Sequence, residues 1–328
     1  MGRRFLALFL FVVVLTGLTV WAWIPTNLSF PVCATERNAA WISADWTGEP
    51  VDKAAVQQLA WDASHRRFRY LFPFVTYLQA DGSFSPSYAH ASEFVSGFRR
   101  FNTDTLLLAW MGVPLQKQGP LGVDGWVNLA DESVRLEIAS FATSLVEEAG
   151  FDGVHLDVET VPDGDPSYLL LLDEVRAALP ADRLLSVASG YWVPAAVNSL
   201  PIVGGYKWSE HYYRAVAARV DQIAAMTYDS LMPYPALYRV WMREQVSGIS
   251  SSLEDTDVEL LVGVSASREK TDTHHPGAEG VANGLAGLCA ALKAGSHAGG
   301  VAVYAAWEAT AEDWETWDRW QGGQEPTR

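Results

Sequence analysis

The chain has 328 residues and a formal net charge of −16, from 39 acidic and 23 basic side chains. That balance argues against nucleic acid or any other polyanion as partner. Hydrophobic residues make up 49% of the chain, so it can bury a sizeable core as one large domain or two small ones, and an α/β barrel of about 250 residues with a leader would fill it. Fourteen residues are Trp; beyond what a core uses, such a surplus leans towards a carbohydrate ligand, because apolar ring faces stack on sugar rings.

Arg3 and Arg4 precede a nearly uncharged apolar run from Phe5 to Ile24. Twenty residues suffice to span a bilayer as a helix, while the apolar core of a cleaved signal peptide is usually shorter. The reading favours a signal anchor over residues 1–24, with a cleaved leader as the alternative; both export the rest of the chain. Residues 25–38 then form a linker, and the membrane is met only through this N-terminal segment. Cys33 and Cys289 are the only cysteines. An exported domain permits one bridge between them, and two inert thiols are the other reading.

Strand-like and helical patterns alternate from there on. Ala39 to Trp46 reads as a strand, Val51 to Arg67 as a helix, Tyr70 to Leu78 as a strand, Ser92 to Phe101 as a helix and Thr105 to Val113 as a strand. Asp131 to Ala149 is an amphipathic helix with Asp131 as N-cap and Gly150 as C-cap. A strand at Asp152–Glu159 precedes a helix at Tyr168–Leu179 and a strand at Leu184–Ser189. The second half repeats the alternation, with helices at Glu210–Val220, Tyr238–Leu253, Gly280–Ala294 and Ala311–Trp320, and strands at Asp221–Tyr228, Val258–Val264 and Gly300–Ala306. Eight strands separated by helices predict a (β/α)8 TIM barrel, a single domain over residues 39–320 followed by a polar tail at 321–328. A doubly wound sheet is the runner-up, weakened by the lack of a Gly-rich turn after the first strand.

The run Asp152-Gly153-Val154-His155-Leu156-Asp157-Val158-Glu159 carries the chemistry. Successive strand residues face opposite sides, so His155, Asp157 and Glu159 share one face and Val154, Leu156 and Val158 the other. Three ionisable groups on one face are costly to bury without partners, and catalysis is the usual reason to keep them. Barrel enzymes work at the C-terminal ends of their strands. Trp46, Trp110, Glu159, Tyr228 with Asp229, and Trp307 are predicted to lie there. His155 and Asp157 as metal ligands form a competing reading, but no second histidine falls at a comparable strand end, and nothing in the sequence asks for a cofactor.

At these residues the chain resembles the family 18 glycoside hydrolases, the chitinase-like barrels. Their fourth-strand signature, Asp-Gly-x-Asp-x-Asp-x-Glu, is matched by residues 152–159. Their sixth-strand Met-x-Tyr-Asp is matched by Met226-Thr227-Tyr228-Asp229, and their eighth-strand Trp by Trp307. The resemblance implies retaining hydrolysis of β-1,4-linked N-acetylglucosamine glycans, in which the substrate's own acetamido oxygen attacks the anomeric carbon. Glu159 would be the general acid. Asp157 would orient the acetamido group, and Tyr228 would bind its oxygen. Asp229 and Met226 would contact the sugar, with Trp307 as its apolar floor and Trp110 and Trp46 as further candidate contacts. A monomer is expected.

Two departures qualify it. His155 stands where the family has Asp; it is expected to pair with Asp157 and favour its carboxylate form, and it leaves a non-catalytic glycan-binding protein as the alternative. The insertion domain that many chitinases carry after the seventh strand is also missing. Only Ser267 to Glu279 separates that strand from the next helix, which predicts a shallow, open cleft. Within it, Thr273-His274-His275-Pro276 reads as a surface turn.

Overall fold

The computed structural model describes residues 33–119, 122–194 and 207–322. The predicted leader at 1–24 and residues 323–328 of the tail lie outside the described residues. Among those described, no helix is long and apolar enough to cross a membrane.

Eight parallel strands close into a barrel. In chain order they are β1 (Asn38–Ile42), β2 (Phe68–Tyr77), β3 (Leu106–Pro114), β4 (Gly153–Glu159), β5 (Leu184–Ser189), β6 (Gln222–Ala225), β7 (Glu259–Ser265) and β8 (Gly300–Tyr304). The register of Ala39 with Ala302 joins β8 back to β1. The surrounding helices are α1 (Lys53–His65), α2 (Ala91–Arg99), α3 (Glu132–Glu147), α4 (Pro166–Ala178), α5 (Glu210–Ala217), α6 (Pro235–Ser252), α7 (Val281–Lys293) and α8 (Ala311–Trp320). Asp131 caps α3 as expected, its carboxylate accepting from the Ser133 amide at 2.9 Å.

Strand alternation divides the core in two. Val154, Leu156 and Val158 of β4 pack outward among the helices, with partners such as Ile138 and Leu171. Inside the barrel a second cluster holds Ala39, Trp41, Tyr70, Phe72, Leu108, Trp110, Ala224, Leu261 and Ala302. Both faces of each strand are therefore buried, which is why the strands read as nearly continuous apolar runs.

The first two residues of the signature are structural. The Asp152 carboxylate accepts from the Leu107 amide at 2.8 Å and pairs with Arg99 at 2.7 Å, tying β4 to its neighbours. Gly153 allows β5 to approach; a Cβ there would fall 2.1 Å from the Leu184 carbonyl oxygen.

Two predicted strands end well short of their expected limits. β1 stops at Ile42, and Asp45–Gly48, which includes Trp46, forms a short helical turn. β6 stops at Ala225 because the Thr227 amide turns back onto the Ala225 carbonyl at 2.9 Å. Residues 226–229 thus form a turn at the barrel mouth. The two cysteines form a disulfide, Cys33–Cys289, with Cα atoms 5.6 Å apart. It fastens the segment ahead of β1 to α7 across 256 residues of sequence.

The Gly153→Ala substitution is expected to lower unfolding stability by about 2 kcal/mol or more, because its methyl must displace backbone rather than a side chain. Chemical denaturation reads this; an unchanged midpoint would show that β5 does not lie against this residue.

Candidate active site at the barrel mouth

β4 aims His155 and Asp157 into the barrel and carries Glu159 to its open end. The three do not act as one cluster. His155 is fully buried and lies flat on Phe72, ring centres 4.2 Å apart and planes within 5°. Its Nε2 is 3.1 Å from Trp41 Nε1, a group that can only donate, so Nε2 accepts. Its Nδ1 therefore carries the proton of the neutral ring and donates to Ser186 Oγ at 2.8 Å. Ser186 donates to Gln222 Oε1 at 2.8 Å, and Gln222 Nε2 donates to Glu259 Oε2 at 2.9 Å.

These four side chains stand on consecutive strands, each opposite the next in register. Strands tilt about a barrel axis, so this polar ladder winds down the interior as it crosses from strand to strand. It ends at Glu259, which also accepts from Tyr70 at 2.7 Å and pairs with Arg37 at 2.7 Å. A cavity of about 570 Å³ opens beside that lower end, but the Arg37, Tyr70, Gln222 and Glu259 in its lining are already engaged with one another.

The expected His155–Asp157 pairing is therefore corrected. Burial pushes the His155 pKa down to about 3, and both ring nitrogens are bonded away from Asp157. The same bonds leave no lone pair on His155 for a metal.

Asp157 is held differently. Trp110 Nε1 donates to its Oδ2 at 3.0 Å. Burial, followed by the charge of Glu159 and a hydrogen bond with it, raises the Asp157 carboxyl well above the usual carboxylate range. The two acids thus hold one proton as a pair, with Glu159 the exposed member.

Aromatic rings close round them. Tyr228, in the turn after β6, is buried and stacks on Tyr304 at the end of β8, ring centres 5.0 Å apart and planes within 8°. Burial and the neighbouring carboxylates, Asp157 and Glu159 among them, raise both phenols, that of Tyr304 to about 12, so both remain hydroxyl donors. Trp307 stands edge-on to Tyr304 at 5.9 Å and is 47% exposed. Met226, partly exposed, begins the turn with its amide on the Ser189 carbonyl at 3.2 Å. Asp229, in the same turn, has a half-exposed side chain that meets His274 at 2.9 Å.

Two predicted contacts move. Trp46 leaves the mouth, packing against Phe94 of α2 at 5.9 Å between barrel and helices. Trp110 is 9% exposed and acts as a hydrogen-bond donor to Asp157 rather than an open wall. The structure also adds residues that the sequence reading passed over. Tyr304 was legible as an inward position two residues after Ala302. Trp126 follows β3, is 43% exposed and bonds the Leu78 carbonyl at 2.8 Å. His274, read as part of a surface turn, is buried. With Asp229 and Glu279 it forms the one grouping among the described residues whose donor atoms, all within 4.8 Å, are compact enough to hold a metal.

The barrel is shared with solved structures at low sequence identity. The spore cortex-lytic enzyme SleL of Bacillus cereus matches with a TM-score of 0.58 and 13% identity, over 89% of this chain and 76% of that one. A chitinase from Bacteroides thetaiotaomicron matches at 0.57 and 12%, over 90% and 100%. A class V chitinase from Pseudomonas fluorescens Pf-5 matches at 0.55 and 14%, over 87% and 99%. At such identity the likeness concerns the fold. No family model matches the sequence, and no curated protein matches it.

The depressed pKa of His155 has a stability consequence. The unfolded ring binds a proton as pH falls through 6.5, while the folded ring stays neutral down to about 3. Its contribution is therefore full above pH 6.5 and is lost progressively between 6.5 and 3. In His155→Gln the slope of stability against pH over that window should flatten, and NMR of the wild type should find no His155 titration between pH 5 and 8. A ring that titrates near 6.5 would contradict the ladder.

Proposed function

We propose that this protein hydrolyses glycans containing β-1,4-linked N-acetylglucosamine, with retention and with assistance from the substrate's acetamido group. The observation that carries the reading is the Asp157–Glu159 pair, which keeps one proton at the barrel mouth beside Tyr228 and Tyr304. The barrel likeness to chitinases and to a cortex-lytic enzyme supports glycan hydrolysis as the general class.

In this mechanism the pair's proton passes to Glu159, which delivers it to the glycosidic oxygen. The acetamido oxygen attacks the anomeric carbon as the bond to the leaving sugar breaks. Asp157, released from Glu159, takes the acetamido N–H and balances the positive charge that develops on the ring so formed. The Tyr228 hydroxyl donates to the acetamido oxygen and holds it under the anomeric carbon. Water then attacks from the vacated side with Glu159 as base, restoring the starting configuration. Trp307 offers its open face to the sugar ring, and Asp229 and Met226 flank it.

The neutral His155 lends no charge to Asp157, so the proton Asp157 shares with Glu159 answers to that pair alone. On this reading the site would work on the extracytoplasmic side, membrane-anchored or secreted. The Cys33–Cys289 bridge supports this, because such bridges persist in oxidising compartments.

Product release from soluble chitooligosaccharides and from purified peptidoglycan, across pH 4–8, tests the reading and separates the two substrates. Glu159→Gln should lower kcat on the order of 10²–10⁴-fold with little change in binding. The wild-type rate should fall as pH rises through the raised pKa of the pair, because the acid then loses its proton. Binding by the wild type without turnover would favour the glycan-binding alternative.

A further inference from the structure

Residues 266–280, between β7 and α7, reach back to the turn after β6. The Leu231 amide donates to the Thr273 carbonyl at 3.0 Å. Ser230 donates to Glu279 Oε1 through its amide, at 3.2 Å, and its hydroxyl, at 2.9 Å. The Tyr191 hydroxyl also donates to the carbonyls of Tyr228, at 3.1 Å, and Asp229. Four consecutive residues, 228–231, are thus gripped by groups from two other parts of the chain.

The grip has work to do. Asp229 and Leu231 have φ of 58° and 64°. Left-handed backbone costs a residue with a Cβ about 1–2 kcal/mol, and it persists where surrounding contacts over-determine it.

At the centre of the grip is His274. Its Nε2 faces the Ser267 carbonyl at 3.3 Å and so carries a hydrogen. Its Nδ1 faces Asp229 Oδ1 at 2.9 Å and Glu279 Oε2 at 3.3 Å. A bare Nδ1 lone pair would repel both carboxylates, and Glu279, with no exposure to solvent, would carry an unbalanced charge. A second ring proton removes both penalties. Asp229 keeps 47% of its side chain open at the mouth while one of its oxygens is held by this cation.

We propose that His274, as an imidazolium bridging Asp229 and Glu279, is a positioning residue that fixes the Asp229 carboxylate for its contact with the sugar. The inference rests on the glycan-hydrolase reading. It gives the short segment after β7 a task beyond leaving the cleft open.

The test is a double-mutant cycle on the full chain with chitooligosaccharides, using His274→Gln, Asp229→Asn and the pair. Each single change should lower kcat/KM on the order of ten- to a hundredfold, chiefly through KM. The double variant should be no worse than the poorer single one, since both remove the same interaction. His274→Lys should recover part of the loss by restoring a cation. Losses that multiply, or an unchanged His274→Gln, would overturn the proposal. So would inactivation by a chelator with recovery on adding zinc, which would make the cluster a metal site. Should the wild type turn over no glycan, the hydrolase reading fails by itself, and nitrogen NMR of His274 then decides this inference separately. A ring protonated on both nitrogens at pH 8 supports the bridge; a neutral ring at that pH overturns it.

Discussion

Inside a closed barrel every inward side chain must either pack or find a polar partner, because water cannot follow it. The ladder from His155 through Ser186 and Gln222 to Glu259 meets that demand with four polar residues on four adjacent strands. Trp41 closes its upper end, and Tyr70 with Arg37 closes the lower one. A half-satisfied network of this kind would be worse than an apolar core, whereas a complete one specifies a single arrangement. Because the ladder uses both nitrogens of His155, the ring stays neutral and has nothing to offer Asp157. The acid above it is left with Trp110 and Glu159, and so the proton at the mouth is shared between two carboxyls.

The mouth shows a division of labour between strands and turns. Strand ends supply the paired acids and Tyr304, which rigid hydrogen-bonded backbone holds in fixed register. Tyr228 and Asp229 sit instead on a turn with unfavourable backbone angles, stabilised by contacts from Tyr191, Thr273, His274 and Glu279. A turn allows a phenol and a carboxylate from neighbouring positions to lean over the same opening, which a strand, sending successive side chains to opposite faces, does not. The strain is the local cost of that placement.

Much of this was legible in the sequence, and the misses share a cause. Alternation along Gly153–Glu159 separated the outward valines and leucine from the inward His155 and Asp157, and strand–helix repetition gave eight strands and hence a barrel. Those signals are local. The partners of His155 depend on which residues of β1, β2 and β5 meet it inside the barrel, and register between distant segments leaves no mark within a window of ten residues. Ser186 and Gln222 drew no notice in the sequence for the same reason. His274 sits in a run of Thr, His and Pro that reads as solvent-facing, and only the fold of residues 266–280 onto the β6 turn buries it. Trp46 was misplaced because β1 ends at Ile42 and residues 45–48 coil into a helical turn, which carries the residue to α2. The Cys33–Cys289 pairing needed α7 to pack beside the chain entering β1.

The ladder also has a direction. Every bond in it runs the same way, from the indole of Trp41 to the carboxylate of Glu259, and neither end can reverse, since an indole N–H only donates and a carboxylate only accepts. No link can flip alone. Position 155 is consequently not free to drift: a replacement must accept from one side and donate to the other across the same gap, or Trp41 and Ser186 must change with it. Among descendants of such a barrel, residues 41, 155, 186 and 222 are expected to be inherited together or replaced together, as one unit of variation spread over 182 positions of sequence.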